Sequence, residues 1–176
     1  DNAAIHLQNV TNVTLDRLVM NGSAEHGING HTVRNFTLSN STLTNLGNGA
    51  DEDGLHFYNM VGTCSINNTN ISSSGDDNIN IQNNNNLPAD LPPITTTNLT
   101  ITGGSANTGV QGSGYLLGIR GTMNTTLTIS GATANNNFSG GFVLDTFDTA
   151  TSTIEVTGVT STNNNDGISL SSSSGN

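Results

Sequence analysis

The chain contains no lysine and no tryptophan, has a single cysteine and carries few charges of either sign. Three arginines stand against 13 acidic residues, and the resulting net charge of −10 at pH 7 disfavours nucleic acid and anionic membranes as partners. No apolar run approaches the length of a membrane span, so we expect no membrane insertion. One cysteine cannot form a disulfide framework within the chain.

A short phrase recurs along the sequence: a polar corner followed by a strand that alternates apolar and polar residues. The first apolar residues of its copies are Ile5, Ile28, Leu55, Ile79, Tyr115, Phe142 and Ile168. Five of the six steps between them fall between 23 and 27 residues. A period in the twenties is typical of leucine-rich repeats and β-solenoids, and the leucine frame of the former is missing.

Each period contains two further apolar columns. The second column consists of the pairs Val13/Leu15, Phe36/Leu38, Cys64/Ile66, Leu99/Ile101, Leu127/Ile129 and Ile154/Val156. The third consists of Met20, Leu43, Ile71, Ala106 and Ala134, with Ser161 in the last copy. Period-two alternation in all three columns predicts three short strands per coil. Gly, Asn, Ser and Asp occupy the corners, where a positive φ or a side-chain-to-backbone bond is needed.

This pattern resembles the right-handed parallel β-helix of the pectin-lyase-like superfamily. The resemblance implies an all-β, single-stranded solenoid of about six coils that spans residues 1–176 as one domain. No capping helix is visible at either end, so we expect the chain to be a segment of a longer protein. Cys64 occupies an inward position and is predicted to be a buried core thiol.

One excursion interrupts the repeat, over residues 83–97, and contains all three prolines. Proline cannot donate to a strand ladder, so we expect a loop there. Loops on rigid scaffolds often carry function, and a tolerated insertion is an equally open interpretation.

Polar residues gather on the first-strand face of the early coils. Asp53, Asp76 and Asp77 lie at corners one coil apart, and stacked carboxylates raise the pKa of at least one of them. The following strands turn outward His31, His56, Tyr58, Asn80 and Gln82, which we predict to be ligand-binding residues. The equivalent positions in later coils are Leu116 and Gly118, Val143 and Asp145, and Ser169 and Ser171.

Asp53-Gly54 and Asp76-Asp77 resemble two of the four active-site phrases of polygalacturonases. The resemblance implies Asp77 as general acid, with Asp53 and Asp76 activating water. The chain departs from the family at the third phrase, where Ser113 replaces histidine, and at the fourth, where nothing basic lies near Phe142. The chain therefore contains two of the four active-site phrases of these glycoside hydrolases.

The same acids allow a different chemistry. Asp51, Glu52, Asp53, Asp76 and Asp77 offer hard oxygen ligands, and calcium would relieve their repulsion. No cofactor is required by the sequence, and calcium is the metal that these residues would suit.

Another surface suggests a third function. The outer face of the second strands stacks Thr14, Thr37, Ser65, Thr100, Thr128 and Glu155. Such a row resembles the flat threonine arrays of ice-binding solenoids, and it is also what β-propensity alone favours at exposed strand positions.

The leading hypothesis is a non-catalytic, rod-like segment of a secreted or cell-surface protein that acts as an adhesin, scaffold or filament element. The localisation is based on a resemblance in composition, rich in Asn, Thr, Ser and Gly. The alternative is a module that binds or degrades polysaccharide at the acidic face. A polysaccharide or surface glycan, and a second copy associated end to end or laterally, are the partners that these hypotheses involve.

Overall fold

The computed structural model describes residues 3–84 and 96–173, which form sixteen β-strands and no helix. The strands are Ile5–Asp16 (β1), Val19–Ser23 (β2), Ile28–Ser39 (β3), Thr42–Leu46 (β4), Leu55–Asn67 (β5), Asn70–Ser72 (β6), Ile79–Asn83 (β7), Thr96–Thr102 (β8), Ser105–Asn107 (β9), Tyr115–Ile119 (β10), Asn124–Ser130 (β11), Thr133–Asn135 (β12), Gly140–Phe147 (β13), Thr151–Thr157 (β14), Thr160–Thr162 (β15) and Asp166–Ser173 (β16). Among these residues no helix could span a membrane.

All the strands pair in parallel with their equivalents in neighbouring coils, which makes a β-solenoid of about six coils. A ten-stranded sheet contains the first and second strands of the coils, and a six-stranded sheet contains the third. Strand β5 pairs with both β7 and β8, because its first half lies against β7 and its second half against β8. The predicted all-β solenoid and its coil number are confirmed.

The first and second predicted strands are separate in coils four to six but run together as β1, β3 and β5 in coils one to three. The corner inside β1 consists of Asn9 and Asn12, whose φ values are 52° and 60°. Both residues are skipped by the pairing between β1 and β3. Single left-handed residues therefore turn the chain without ending the strand, an arrangement that asparagine tolerates better than most residues.

The predicted apolar columns form the core. Pairing places the first residues of successive coils in register from Ile5 to Ile168. In this column the rings of Tyr115 and Phe142 stack at 4.7 Å, with 5° between their planes. The third column is also in register, from Met20 to Ser161. Each coil buries its inward face only because neighbouring coils cover it.

Cys64 lies at the one register shift between β3 and β5, where the longer β5 absorbs an additional residue. Its thiol donates to the Val61 carbonyl at 3.3 Å and accepts the Phe36 N–H at 3.5 Å. The side chain is 1% exposed, and burial raises the pKa of the thiol. The prediction of a buried core thiol is confirmed.

The predicted loop over residues 83–97 falls between β7, which ends at Asn83, and β8, which begins at Thr96. Its central part, residues 85–95 with the three prolines, lies outside the described residues.

Candidate functional site

Four side chains at the corner that precedes the first strand form what we call the capping ladder: His26, Asp53, Asp77 and Ser113. Each accepts the backbone N–H of the equivalent residue in the next coil. The distances are 2.9 Å from Asp53 N to His26 Nδ1, 3.0 Å from Asp77 N to Asp53 Oδ1 and 2.5 Å from Ser113 N to Asp77 Oδ1. The N–H of Gly140 continues the ladder to Ser113 Oγ at 3.3 Å. Two of the predicted catalytic acids thus satisfy buried backbone donors.

This role withdraws two carboxylates from solvent: Asp53 is 0% exposed and Asp77 4%. Asp76 lies beside them and is half-buried, and the three side chains offer oxygens within 4.8 Å of one another. The Gly112 backbone packs against Asp76 and Asp77, and a Cβ at residue 112 would collide with both carboxylates. The structure therefore brings the three acids together, on the inner side of the corner.

Asp77 is the most strongly perturbed carboxyl group of the cluster. Burial raises its pKa to about 7, opposed by the hydrogen bond from the Ser113 backbone and reinforced by the charges of Asp53 and Asp76. Burial and the Asp53 charge also raise the pKa of Asp76. A protonated carboxyl group near neutral pH can donate a proton, which is the property that a general acid needs.

His26 and His56 hold the Asp53 backbone and side chain between them. His56 Nδ1 lies 2.5 Å from Asp53 Oδ2, so we assign the hydrogen to this nitrogen. His26 Nδ1 accepts the Asp53 N–H, so its ring carries the hydrogen on Nε2. The two rings stack at 4.4 Å. In the neutral rings, the nitrogens left for a ligand are an acceptor on His56 and a donor on His26.

Electrostatics keep His26 neutral. Burial lowers its pKa, the charge of His56 lowers it further, and the nearby Asp53, Glu25 and Glu52 oppose both effects. At His56, the hydrogen bond between Nδ1 and the buried Asp53 carboxylate fixes the orientation and tautomer of the ring.

All four histidines of the chain line one groove on the first-strand face. The groove encloses a volume of about 700 Å³ and is lined by His6, Gln8, His26, Asn29, His31, His56 and Tyr58. Tyr58 is 44% exposed, and its ring lies 5.0 Å from that of His56 and 6.4 Å from that of His31. Three of the predicted ligand-binding residues therefore share this groove.

Asn80 and Gln82 continue the same face in the next coil, opposite His56 and Tyr58 in the strand register. They line a second cavity of about 400 Å³ together with Tyr58, Asn83, Asn84 and Arg120. Tyr58 belongs to both cavities, so the five predicted ligand-binding residues follow one continuous face. We call this surface, from His6 to Arg120, the polar face.

The acids proposed as calcium ligands do not all converge. Asp53, Asp76 and Asp77 have oxygens close together, whereas the Glu52 carboxylate accepts hydrogen bonds from the backbone N–H groups of Asn48 and Gly49. Asp53 Oδ1 and Asp77 Oδ1 each already accept a backbone N–H. A cation there would be held chiefly by the remaining lone pairs of three carboxylates.

His26, Asp53 and His56 also offer donor atoms within 4.8 Å of one another. Their Nδ1 atoms, however, are engaged with the backbone N–H and the side chain of Asp53. These Nδ1 atoms are therefore satisfied by hydrogen bonds within the protein, and the Nε2 atoms are not part of those bonds.

The second-strand face stacks as the sequence predicts. Strand register aligns Thr14, Thr37, Ser65, Thr100, Thr128 and Glu155. Ser65 Oγ donates to Thr37 Oγ1 at 3.4 Å, so part of the row is bonded along the stack.

Comparison of the chain with protein-family models, curated proteins and solved structures gave no significant match.

Sequence reasoning missed two features of this region. It did not include His26 among the site residues, although its place in the same column as Asp53 and Asp77 was a signal for a shared backbone-capping role. It also missed Arg120, which follows the last residue of β10 and lies beside Asn80 and Gln82.

Proposed function

We propose that this chain is a non-catalytic β-solenoid module of a secreted or cell-surface protein, and that its polar face binds polysaccharide. The proposal rests on one observation above all. Outward polar side chains from consecutive coils lie in strand register, with His56 opposite Asn80 and Tyr58 opposite Gln82. They form a groove in which a half-exposed tyrosine is flanked by histidines.

The chemistry of the lining suits a sugar chain. Tyr58 offers an apolar ring with a polar tip, on which a sugar ring can pack. His26 offers an Nε2–H donor and His56 offers its Nε2 beside it, so the two rings can bind a hydroxyl group. Parallel strands about 4.8 Å apart repeat such groups along the stack, so an extended ligand can contact several coils.

The capping ladder supports a non-catalytic role. A general acid and a water-activating base must reach the reacting bond. Asp53 and Asp77 are 0% and 4% exposed, and one carboxylate oxygen of each accepts a backbone N–H from the next coil.

Binding by affinity electrophoresis and calorimetry, against a panel of neutral and acidic polysaccharides, tests the proposal. Replacing Tyr58 by Ala should weaken binding to the best ligand by about tenfold, which corresponds to about 1.4 kcal/mol for the lost aromatic contact. Thr128→Ala, on the second-strand face, is the matched control and should bind like the parent. Absence of binding across the panel, or equal loss in both variants, would sink the proposal.

Polysaccharide hydrolysis is the second candidate, and the pKa of about 7 at Asp77 is the observation that favours it. In this alternative Asp77 would protonate the leaving oxygen, and Asp53 or Asp76 would activate water. Release of reducing ends by the parent, abolished in Asp77→Asn, is the result that would establish it.

A further inference from the structure

His56 is held in the way that proteins hold a metal-binding histidine. Its Nδ1 lies 2.5 Å from Oδ2 of Asp53, a carboxylate with 0% exposure. A histidine that ligates a metal through one ring nitrogen almost always donates its other N–H to a carboxylate, a carbonyl or a water, which fixes the ring and makes it a stronger ligand. With the hydrogen on Nδ1, the Nε2 atom of His56 keeps a lone pair for a ligand in the groove.

Two more histidines, His6 and His31, line the same groove from the two preceding coils. Strand register sets Asn29 opposite both His6 and His56, and His31 lies two residues beyond Asn29 on the same face. From the spacing of strands and the rise per residue, the Cα atom of His31 lies roughly 8 Å from those of His6 and His56. Across that separation, imidazole rings from three coils can converge on one ion.

Exposure gives two of these rings room to turn. Among the described residues, the group that offers donor atoms within 4.8 Å of one another around His56 consists of His26, Asp53 and His56. His6 and His31 must therefore turn towards His56 to share an ion with it. Both are exposed, and exposed side chains change rotamer rapidly. The half-buried His56 is the fixed ligand, and the other two complete the site.

His26 is excluded as a ligand, although its ring stacks on that of His56 at 4.4 Å. Its Nδ1 accepts the Asp53 N–H at 2.9 Å, so the neutral ring carries its hydrogen on Nε2 and has no lone pair left for a metal. Two neighbouring histidines of one groove thus differ in the chemistry that their Nε2 atoms can perform. This difference supplies a control within the site.

The lining of the groove favours one class of metal ion. Within the part of the chain that the structure describes, imidazoles, amides and the Tyr58 ring line the groove, and no carboxylate or thiol does. Calcium and magnesium need oxygen ligands, whereas imidazole suits zinc, copper and nickel. The net charge of −10 favours the approach of any cation. The lining therefore selects a divalent transition metal.

We propose that His6, His31 and His56 bind one divalent transition-metal ion, represented by zinc, through their Nε2 atoms. Three histidines and a water molecule make up the four-coordinate shell that zinc prefers at sites with an open position. The metal site shares its groove with the proposed glycan binding but does not depend on it, because no sugar atom belongs to the ligand set.

Calorimetric titration of the metal-stripped chain with zinc chloride, near neutral pH and without glycan, tests the site. We expect one zinc ion per chain, which excess calcium does not displace. Replacing His6, His31 or His56 by Ala should each weaken zinc binding by more than about tenfold, since even the loss of an outer-shell partner costs 10–100-fold. His26→Asn is the matched control: it removes an imidazole, keeps an acceptor for the Asp53 N–H and should retain the parent's affinity for zinc.

The remaining outcomes overturn the proposal in different ways. Absence of zinc binding overturns the metal site and leaves glycan binding, measured separately in chelator, as it was. Affinity that survives in His6→Ala or His31→Ala overturns the three-histidine ligand set. A loss in His26→Asn as large as in His56→Ala overturns the assignment of the Nε2 atoms. Melting temperatures without metal identify any variant that unfolds, and the exposed positions of His6 and His31 keep the test decisive should His56→Ala be one.

Discussion

The Asp53 side chain accepts the backbone N–H of Asp77 at 3.0 Å, from a carboxylate with no exposure to solvent. The same carboxylate accepts the Nδ1–H of His56 through its other oxygen. One buried acid therefore links two consecutive coils and orients a histidine of the groove.

Replacing Asp53 by Ala should lower the free energy of unfolding by about 2–4 kcal/mol, because two buried donors lose their acceptor. Asp53→Asn keeps an oxygen for the Asp77 N–H and should lose less. Chemical denaturation measures both, with the exposed Glu155→Ala as a control that stays near the parent. A loss in Asp53→Ala no larger than in the control would contradict the capping ladder.

The pKa of Asp77 predicts a stability that falls as pH rises. Its folded-state pKa of about 7 lies above the usual 3.8, so between these values the folded state binds more protons than the unfolded state. The contribution of Asp77 is thus fully present below pH 3.8 and is lost as pH rises towards 7. Asp76, with a raised pKa, acts in the same direction, while the lowered pKa of His26 acts in the opposite one.

Asp77→Asn isolates this effect. The variant keeps an oxygen to accept the Ser113 N–H but cannot ionise, so its stability relative to the parent should rise between pH 4 and 8, by a few kcal/mol at most. Urea denaturation at several pH values gives the difference. Parallel pH profiles for the two proteins would show that Asp77 titrates normally.

Gly112 is expected to tolerate no side chain. A Cβ there would collide with the carboxylates of Asp76 and Asp77, so Gly112→Ala should cost about 1–3 kcal/mol in thermal or chemical unfolding. Gly167→Ala is the matched control, because its Cβ would lie 3.8 Å from Ser161 Oγ, an ordinary contact. Equal stability of the two variants would show that residue 112 has room for a Cβ and would contradict the predicted collision.

Removing calcium should leave the melting temperature and glycan binding unchanged. Oxygens of Asp53 and Asp77 already accept backbone hydrogen bonds, so we expect the corner to keep its stability without a cation. Melting curves with EDTA and with added calcium check this, alongside Asp76→Asn. A calcium-dependent rise in melting temperature that disappears in Asp76→Asn would instead establish a calcium site.

No polysaccharide in the panel is expected to release reducing ends on incubation with the parent protein. The reason is the burial of Asp53 and Asp77, which keeps both carboxylates away from a bond in the groove. Activity that vanishes in Asp77→Asn but persists in Tyr58→Ala at high substrate concentration would replace the non-catalytic proposal by a hydrolase.

The sequence predicted the stacked coils because the inward apolar residues of each strand alternate with outward polar residues and the same three apolar columns recur in successive coils. Ile28, Leu55 and Ile79 align in the structure as their spacing requires. Proximity of Asp53 to Asp77 followed from the same register. The direction in which these side chains point could not be predicted, because the backbone dihedral angles differ from one corner to the next and no sequence periodicity encodes them.

Arg120 escaped prediction for a related reason. It lies in the coil after the excursion, one residue beyond Ile119, which pairs with Asn83 of the preceding coil. The strand register sets it beside Phe147, because Ile119 lies opposite Thr146 and the next residues are Arg120 and Phe147. Spacing does not encode the direction of the Arg120 side chain.

The capping ladder also bears on how such coils diverge. Its donor is always a main-chain N–H, which every residue except proline possesses, and its acceptor is always a side chain of the preceding coil. Histidine, aspartate and serine all serve as acceptors here. As far as this hydrogen bond is concerned, exchanging one for another in a coil requires no compensating exchange in the next. Two acids in adjacent coils remain coupled by charge, as Asp53 and Asp77 are, so we expect covariation at this position only where both residues ionise.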